Sequence, residues 1–355
     1  MNSLSFVANH EELVPLGTFW SGEWHATSHH LHAKTKGRDR LEMLRVSTYA
    51  TGQLLTTQTL HSLAVTVLTD AGLTPSEYWV DPALQSLVIP WVWFGTVSHR
   101  EALRQIAEAA LGQVYVDRNG IIRVEGATSL SPNAPGLTIT ADQYFHKDTP
   151  VKWGELANRI EVETQPLSPV GVAEEVYRSN EPVPILAGQT LTVSVFYNNP
   201  PVIDAVASLV NPPVGKTITG ATYYAWGADV TVHSTTTSSF TLSISGRPLI
   251  VQNRNRISVQ DADSIRDNGL LRYSYPVNHL VQTRAHAQFI ADTLLNLYRH
   301  ARRDLTMDWR GNPALLLGNI VTTQAHGETL RYWVVKQEVT FDGGLRADIE
   351  GRLVR

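Results

Sequence analysis

The sequence predicts a mainly β fold with an α+β subdomain and an inserted β-sandwich. Between residues 171 and 250 charged residues thin out, Thr, Ser and Val dominate, and short alternating runs are broken by Gly and Pro. Helical spacing of apolar residues is confined to a few stretches, two of them close together within 51–127. The last third ends in alternating runs joined at Gly343-Gly344, a tight-turn signal.

In chain order, Val14-Pro15-Leu16-Gly17-Thr18-Phe19-Trp20 reads as a short β segment, and residues 1–50 form a first, β-rich portion. Residues 51–127 form the α+β subdomain. Leu60, Leu63, Ala64, Val67, Leu68 and Ala71 share one helical face, with Gly72 placed for a left-handed cap. Ser98 and Glu101 match a capping box ahead of the stripe Leu103, Ile106, Ala107, Ala110 and Leu111, and Gly112 is expected to end that helix. Val114–Val116 and Ile121–Val124 read as strands turned by Asn119-Gly120, with positive φ expected at both turn positions. Residues 128–150, rich in Ser, Pro, Gly and Asp, read as a connection.

Ile160 and Val162 alternate against charged neighbours, so Asn158–Thr164 is a predicted strand. The sandwich is placed at 171–245, on the alternation of Leu191, Val193 and Val195, of Val230 and Val232, and of Phe240, Leu242 and Ile244. Residues 151–170 and 246–355 are assigned to one β-domain with a single helix. That helix has Thr283 as N-cap and Ala287, Ile290, Leu294, Leu297, Tyr298 and Ala301 on one face.

Composition narrows the function classes. A chain of 355 residues predicts two or three domains, because one core rarely serves more than about 250–300 residues. Hydrophobic content of 43% fits a folded protein, and a net charge of −4 argues against a nucleic-acid grip, which needs a basic footprint. The absence of cysteine excludes disulfides and thiolate chemistry within this chain and is compatible with a reducing cytoplasm. Met1 to Glu12 lacks the pattern of a signal peptide, and no apolar run approaches the ~18 residues of a membrane span, so a soluble protein is expected.

Three groups of residues were weighed for chemistry. His25, His29, His30 and His32, with Glu23 nearby, suit either a metal or an exposed polar strand edge. Asp261 with Asp263, and Glu174 with Glu175, are carboxylate pairs of the kind glycoside hydrolysis uses, or solvated acidic loops. Trp91, Trp93 and Phe94, and Tyr223, Tyr224 and Trp226, could stack on sugar rings or simply pack across strands. Nucleophile elbows, phosphate loops and dinucleotide fingerprints are missing. No catalytic, cofactor-binding or metal residue is assigned, and a non-enzyme is expected.

The order of elements resembles the tail-tip and baseplate hub proteins of tailed bacteriophages, related to the hubs of contractile injection systems. Three stretches carry the resemblance. The first is Val14–Trp20 followed by Gly37-Arg38-Asp39-Arg40-Leu41-Glu42-Met43-Leu44. The second is Ala102–Gly112 leading into Val114–Gly120. The third runs from Asp263–Gly269 through the helix to Asn312-Pro313 and Leu317-Gly318-Asn319-Ile320-Val321, ending in the last hairpin.

The resemblance implies two tube-like β-domains per subunit, the first partial and within 1–50, the second formed by 151–170 and 246–355. It implies a homotrimer below the tail tube, enclosing part of the DNA-ejection channel, in a virion assembled in the host cytoplasm. The implied partners are the tail tube or distal tail protein, tip or spike and fibre proteins, the tape measure protein, and DNA passing without specific binding. Only about a dozen residues precede Leu16-Gly17-Thr18-Phe19, so the first tube-like domain is expected to be short or completed by a neighbouring chain. The alternative is a receptor- or glycan-binding tail protein acting through the 171–245 sandwich on a host-surface glycan. A third reading, a cell-wall hydrolase, rests only on biological plausibility, since phage tails often need to cut cell wall.

Overall fold

The computed structural model describes residues 17–26, 33–127, 134–211 and 214–354. Strands hold 47% of the described residues and helices 18%, against about 20–25% strand in an average globular protein, so the fold is mainly β. Buried apolar side chains gather into three separate cores.

The central core is built on α1 (Leu41–Val46), α2 (Leu60–Asp70) and α3 (His99–Ala109). Helix α2 starts at Thr59, whose side chain accepts from the Ser62 amide while the Ser62 hydroxyl caps the Thr59 amide in return. Its predicted apolar face is buried, and Gly72 takes φ +81°. The Ser98 hydroxyl caps α3 by accepting from the Glu101 amide.

Two local expectations are corrected in this region. At the end of α3 the left-handed residue is Leu111, with φ 52°. Gly112 is required for a different reason: a Cβ there would lie 1.7 Å from the Glu125 carbonyl oxygen. The following hairpin, Gln113–Val116 with Ile122–Glu125, turns through positive φ at Gly120 and not at Asn119. Asp117 accounts for the longer loop, because its Oδ1 accepts from the amides of Asn119 and Ile121, both at 3.0 Å.

The central core reaches further along the chain than the sequence division allowed. Strand Arg159–Glu163 lies between Arg256–Gln260, antiparallel, and Arg272–Ser274, parallel. Its Ile160 and Val162 share the core with α2, α3 and the buried face of α5 (Arg284–Tyr298). Polar bonds stitch the seam. Tyr275 donates to the Glu108 carbonyl at 2.5 Å, and the Asn278 amide to the Gln105 carbonyl at 2.9 Å. The Gln282 side chain accepts from the Trp91 amide and donates to the Trp91 carbonyl. Packing therefore joins 157–163 and 256–298 to the α+β body. A short helix that the pattern did not predict, α4 (Ala262–Asn268), is capped by Asp261, which accepts from the Ser264 amide.

The inserted sandwich is built from strands that lie between Leu167 and Val251. Leu167–Pro169, Glu174–Arg178 and Val202–Leu209 all pair with the long strand Leu242–Val251. The facing sheet holds Gly227–Ser234 between Thr190–Phe196 and Lys216–Tyr223. Val195, Val230, Val232, Phe240, Leu242 and Ile244 fill the space between them.

The third core lies in a seven-stranded C-terminal sheet. Its long hairpin pairs Glu328–Phe341 with Leu345–Leu353, flanked by Ile320–Ala325 on one side and Arg302–Trp309 on the other. Residues 128–150 are not merely a connection: Gly136–Thr138 and Tyr144–Asp148 form the two outer strands of this sheet. Strands of three and five residues are too short to show a readable alternation, and the pairing is supplied by long partners far along the chain. The sheet is tied to the α+β body by Arg118, which donates to the carbonyls of Pro313 and Leu315.

At the other end of the chain, Trp20–Ala26 and Ala33–Arg38 form a hairpin that, among the described residues, pairs only with itself. No helix among the described residues is long and apolar enough to cross a membrane.

Candidate functional site

The solvent face of the C-terminal sheet carries a transverse row of acids. Asp308 lies opposite Asp348, and Asp348 opposite Glu338, across three adjacent strands, so all three point the same way. Cations offset part of this charge. Arg346 Nε donates to Asp308 at 2.7 Å, and Lys336 pairs with Glu350 at 2.8 Å. Those contacts raise the proton affinity of both cations. Lys336 also feels the charges of Glu338 and Asp348, and Arg346 that of Asp348, so acids and cations alternate across this face.

The N-terminal hairpin carries bare aromatic side chains among polar ones. Every residue of Trp20–Ala26 is exposed, with Trp24 at 65% and Phe19 just outside the strand at 62%. Lys34 and Lys36 stand on its second strand, and Arg40 lies 5.4 Å over the Trp20 ring.

The histidine group is not assembled in the described residues. His29, His30 and His32 lie outside them, and His25 faces Glu23 at 3.9 Å in open solvent. Among the described residues no cluster of three metal-ligating side chains occurs. The carboxylate pairs have local duties. Asp261 caps α4 and pairs with Arg299 at 3.2 Å, Asp263 pairs with Arg266 at 2.8 Å, and Glu175 accepts from Ser243 at 2.7 Å. Glu174 lies beside Glu175 on the same strand, in register with Gly246.

The two aromatic groups divide between packing and a cleft. Phe94 is buried, with its ring edge-on to Tyr49 at 5.7 Å and to His279 at 5.3 Å. Trp226 is sandwiched, with Tyr224 stacked at 4.9 Å and Phe196 tilted at 5.2 Å, so neither of its faces is free. Trp91, however, meets Tyr223 and Tyr224 across a cleft of about 220 Å³ between the α+β body and the sandwich. Gln53 and Asp204 complete its polar lining. Neither residue was singled out from sequence. Gln53 stands just ahead of Leu55–Thr59, the strand paired with Trp91, and Asp204 lies within Val202–Leu209.

Comparison with solved structures places this architecture. The crystal structure of the 43 kDa tail protein of prophage MuSo2 from Shewanella oneidensis matches 96% of this chain and 80% of that protein, with a TM-score of 0.50 and 12% identity. The tail protein of Neisseria meningitidis MC58 matches over 95% of this chain and 79% of its own, with a TM-score of 0.52 and 11% identity. The chain has the fold of a prophage tail protein. That likeness agrees with the resemblance to phage tail proteins read from the sequence. No family model matches the sequence, and no curated protein does. The similarity therefore lives in the arrangement of elements and not in residue identity.

Proposed function

We propose that this tail-protein fold serves as a structural, non-enzymatic hub of a phage tail tip or baseplate. In this reading three copies form a ring below the tail tube, and the ring surrounds part of the DNA-ejection channel. The observation that carries the reading is the fold likeness to two prophage tail proteins over 95% or more of the chain.

Two features support assembly. An isolated two-stranded hairpin is marginal in water, yet the N-terminal hairpin exposes aromatic residues with no second layer among the described residues. The C-terminal sheet ends in two outer strands that can accept further pairing. The acidic row fits a wall past which DNA slides without being held. The C-terminal sheet is then the second tube-like domain, and the N-terminal hairpin is the part of the first that this chain supplies. Its neighbours would be tail tube or distal tail protein, tape measure protein, and spike or fibre proteins, within the virion.

Sedimentation of the purified chain over a wide concentration range, with images of the heaviest species, tests the reading. Three-fold rings with an open centre are expected. A compact monomer at the highest concentration, with no ring in the images, would overturn it.

A further inference from the structure

The cleft between the α+β body and the sandwich has no part in the assembly reading. We propose that it is a binding subsite for one neutral pyranose unit of a surface saccharide.

Its lining decides the ligand class. Trp91, Tyr223 and Tyr224 supply aromatic rings, and Gln53, Thr56 and Asp204 supply polar side chains. Sugars present a patch of C–H bonds to an aromatic face and hydroxyls around the rim, which is the combination such a lining satisfies. The only charged residue in the lining is an acid, so phosphorylated and carboxylated ligands are disfavoured. The volume decides the size. About 220 Å³ is many times a water's share of about 30 Å³ but falls short of the ~300–1,000 Å³ of extended ligand pockets, so one ring enters and the rest of a glycan stays in solvent.

The walls are fixed before any ligand arrives. Gln53 Nε2 donates to the Tyr223 carbonyl at 2.8 Å, and the Ala225 amide to the Gly52 carbonyl at 2.9 Å, which pins the sandwich to the body at the cleft. The Tyr223 hydroxyl accepts from the Ala207 amide and keeps its own proton to donate. Tyr224 is braced from behind by Trp226 and by its hydroxyl, which donates to Asp229 at 3.2 Å.

Asp204 is the most pointed feature. The pairing of Val202–Leu209 with Leu242–Val251 shifts register between Ile203 and Val206, so Asp204 sits in a bulge with φ 54°. Gly246 on the partner strand accommodates the bulge, because a Cβ there would lie 2.5 Å from Val202 Cγ1. Thr57, next to the lining Thr56, is held at φ 51°. Two non-glycine residues in strained conformations thus flank one cleft, a pattern that marks binding sites more often than plain packing. Arg247 holds Asp204 Oδ2 at 3.3 Å, which leaves Oδ1 for a ligand hydroxyl.

Saturation-transfer NMR on the full chain tests this, using the methyl glycosides of glucose, galactose, mannose, rhamnose, N-acetylglucosamine and N-acetylgalactosamine as probes. At least one should receive saturation at its ring C–H protons. Tyr224→Ala and Asp204→Asn should each weaken it about tenfold, equivalent to about 1.4 kcal/mol. Phe196→Ala, at the far end of the stacked rings, should leave it unchanged. Silence from all six probes overturns the proposal. So does transfer that survives both Asp204→Asn, which keeps the side-chain shape, and Tyr224→Ala.

Discussion

Two antiparallel hairpins stand near opposite ends of this chain, and they are built to opposite rules. Glu328–Phe341 with Leu345–Leu353 sits at the centre of a seven-stranded sheet and lays Tyr332, Val334, Ala347 and Ile349 on a core. Trp20–Ala26 with Ala33–Arg38 has neither a third strand among the described residues nor a buried face. Tryptophan in solvent contributes nothing to the folded chain, whereas burying it against another surface is worth roughly 2–3 kcal/mol. The difference teaches that the second hairpin is specified by its own core, whereas the described residues supply no such core for the first.

The comparison breaks most readily at Tyr332. This ring is fully buried in the C-terminal core, and truncation of a buried aromatic costs about 3–5 kcal/mol. Tyr332→Ala should lower the unfolding free energy of the C-terminal sheet by that amount, read by urea titration. A loss below about 1 kcal/mol would mean that the C-terminal hairpin is no better anchored than the N-terminal one.

The body between the hairpins can be separated from both by acid. His279 and His286 lie in the seam of the central core, and burial pushes both below the usual histidine range. A base whose folded pKa is depressed binds its proton more readily when unfolded. Stability is therefore complete above the unfolded value near 6.5 and is lost as pH falls below it. The slope should reach at most about 1.4 kcal/mol per pH unit for each histidine. Carboxylates do not confuse this window. Glu42 and Glu101, held at about 2 by Arg45 and Arg104, begin to matter only below about 4.5. His279→Phe should flatten the profile between pH 6.5 and 5, measured as melting temperature against pH; an unchanged slope would place the acid sensitivity elsewhere.

What the sequence made legible follows the same division. The faces of α2, α3 and α5 were readable because 3.6-residue spacing and capping side chains are local signals, as at Ser98 and Thr283. The sandwich was readable from alternation in Val230, Val232, Phe240 and Leu242. Gly136–Thr138 and Tyr144–Asp148 were not, since they owe their pairing to partners about 160 to 180 residues away. The same limit hid the joining of 256–298 to the α+β body, which rests on Gln282 reaching Trp91 and Asn278 reaching Gln105. At the cleft, Trp91 and Tyr224 were visible as aromatics. Asp204 was not, because a bulge is a property of two strands and leaves no mark on one.

A smaller effect sharpens the comparison on the C-terminal side. Asp348 stands between two other acids in register, and like charges directly opposite one another are destabilising. Glu338→Gln should raise stability by about 0.5 kcal/mol at low salt, with the gain shrinking as salt is added. A loss on substitution would show that Glu338 has a partner that stabilises its charge. A gain that salt removes would mean that the row is held at a small electrostatic cost.

The smallest effect on the fold is the most informative about the first hairpin. Trp24 is 65% exposed, so Trp24→Ala should leave the melting temperature of the dilute chain within the ~0.5 kcal/mol range of ordinary surface substitutions. The same substitution should shift the sedimentation profile at high concentration toward smaller species, because exposed aromatics become anchors once an interface covers them. The two measurements must be made on one preparation. If both are unchanged, the bare hairpin is not what joins the copies, and the outer strands of the C-terminal sheet become the next place to look. If the dilute chain is destabilised, Trp24 already packs within the monomer and the contrast between the two hairpins fails.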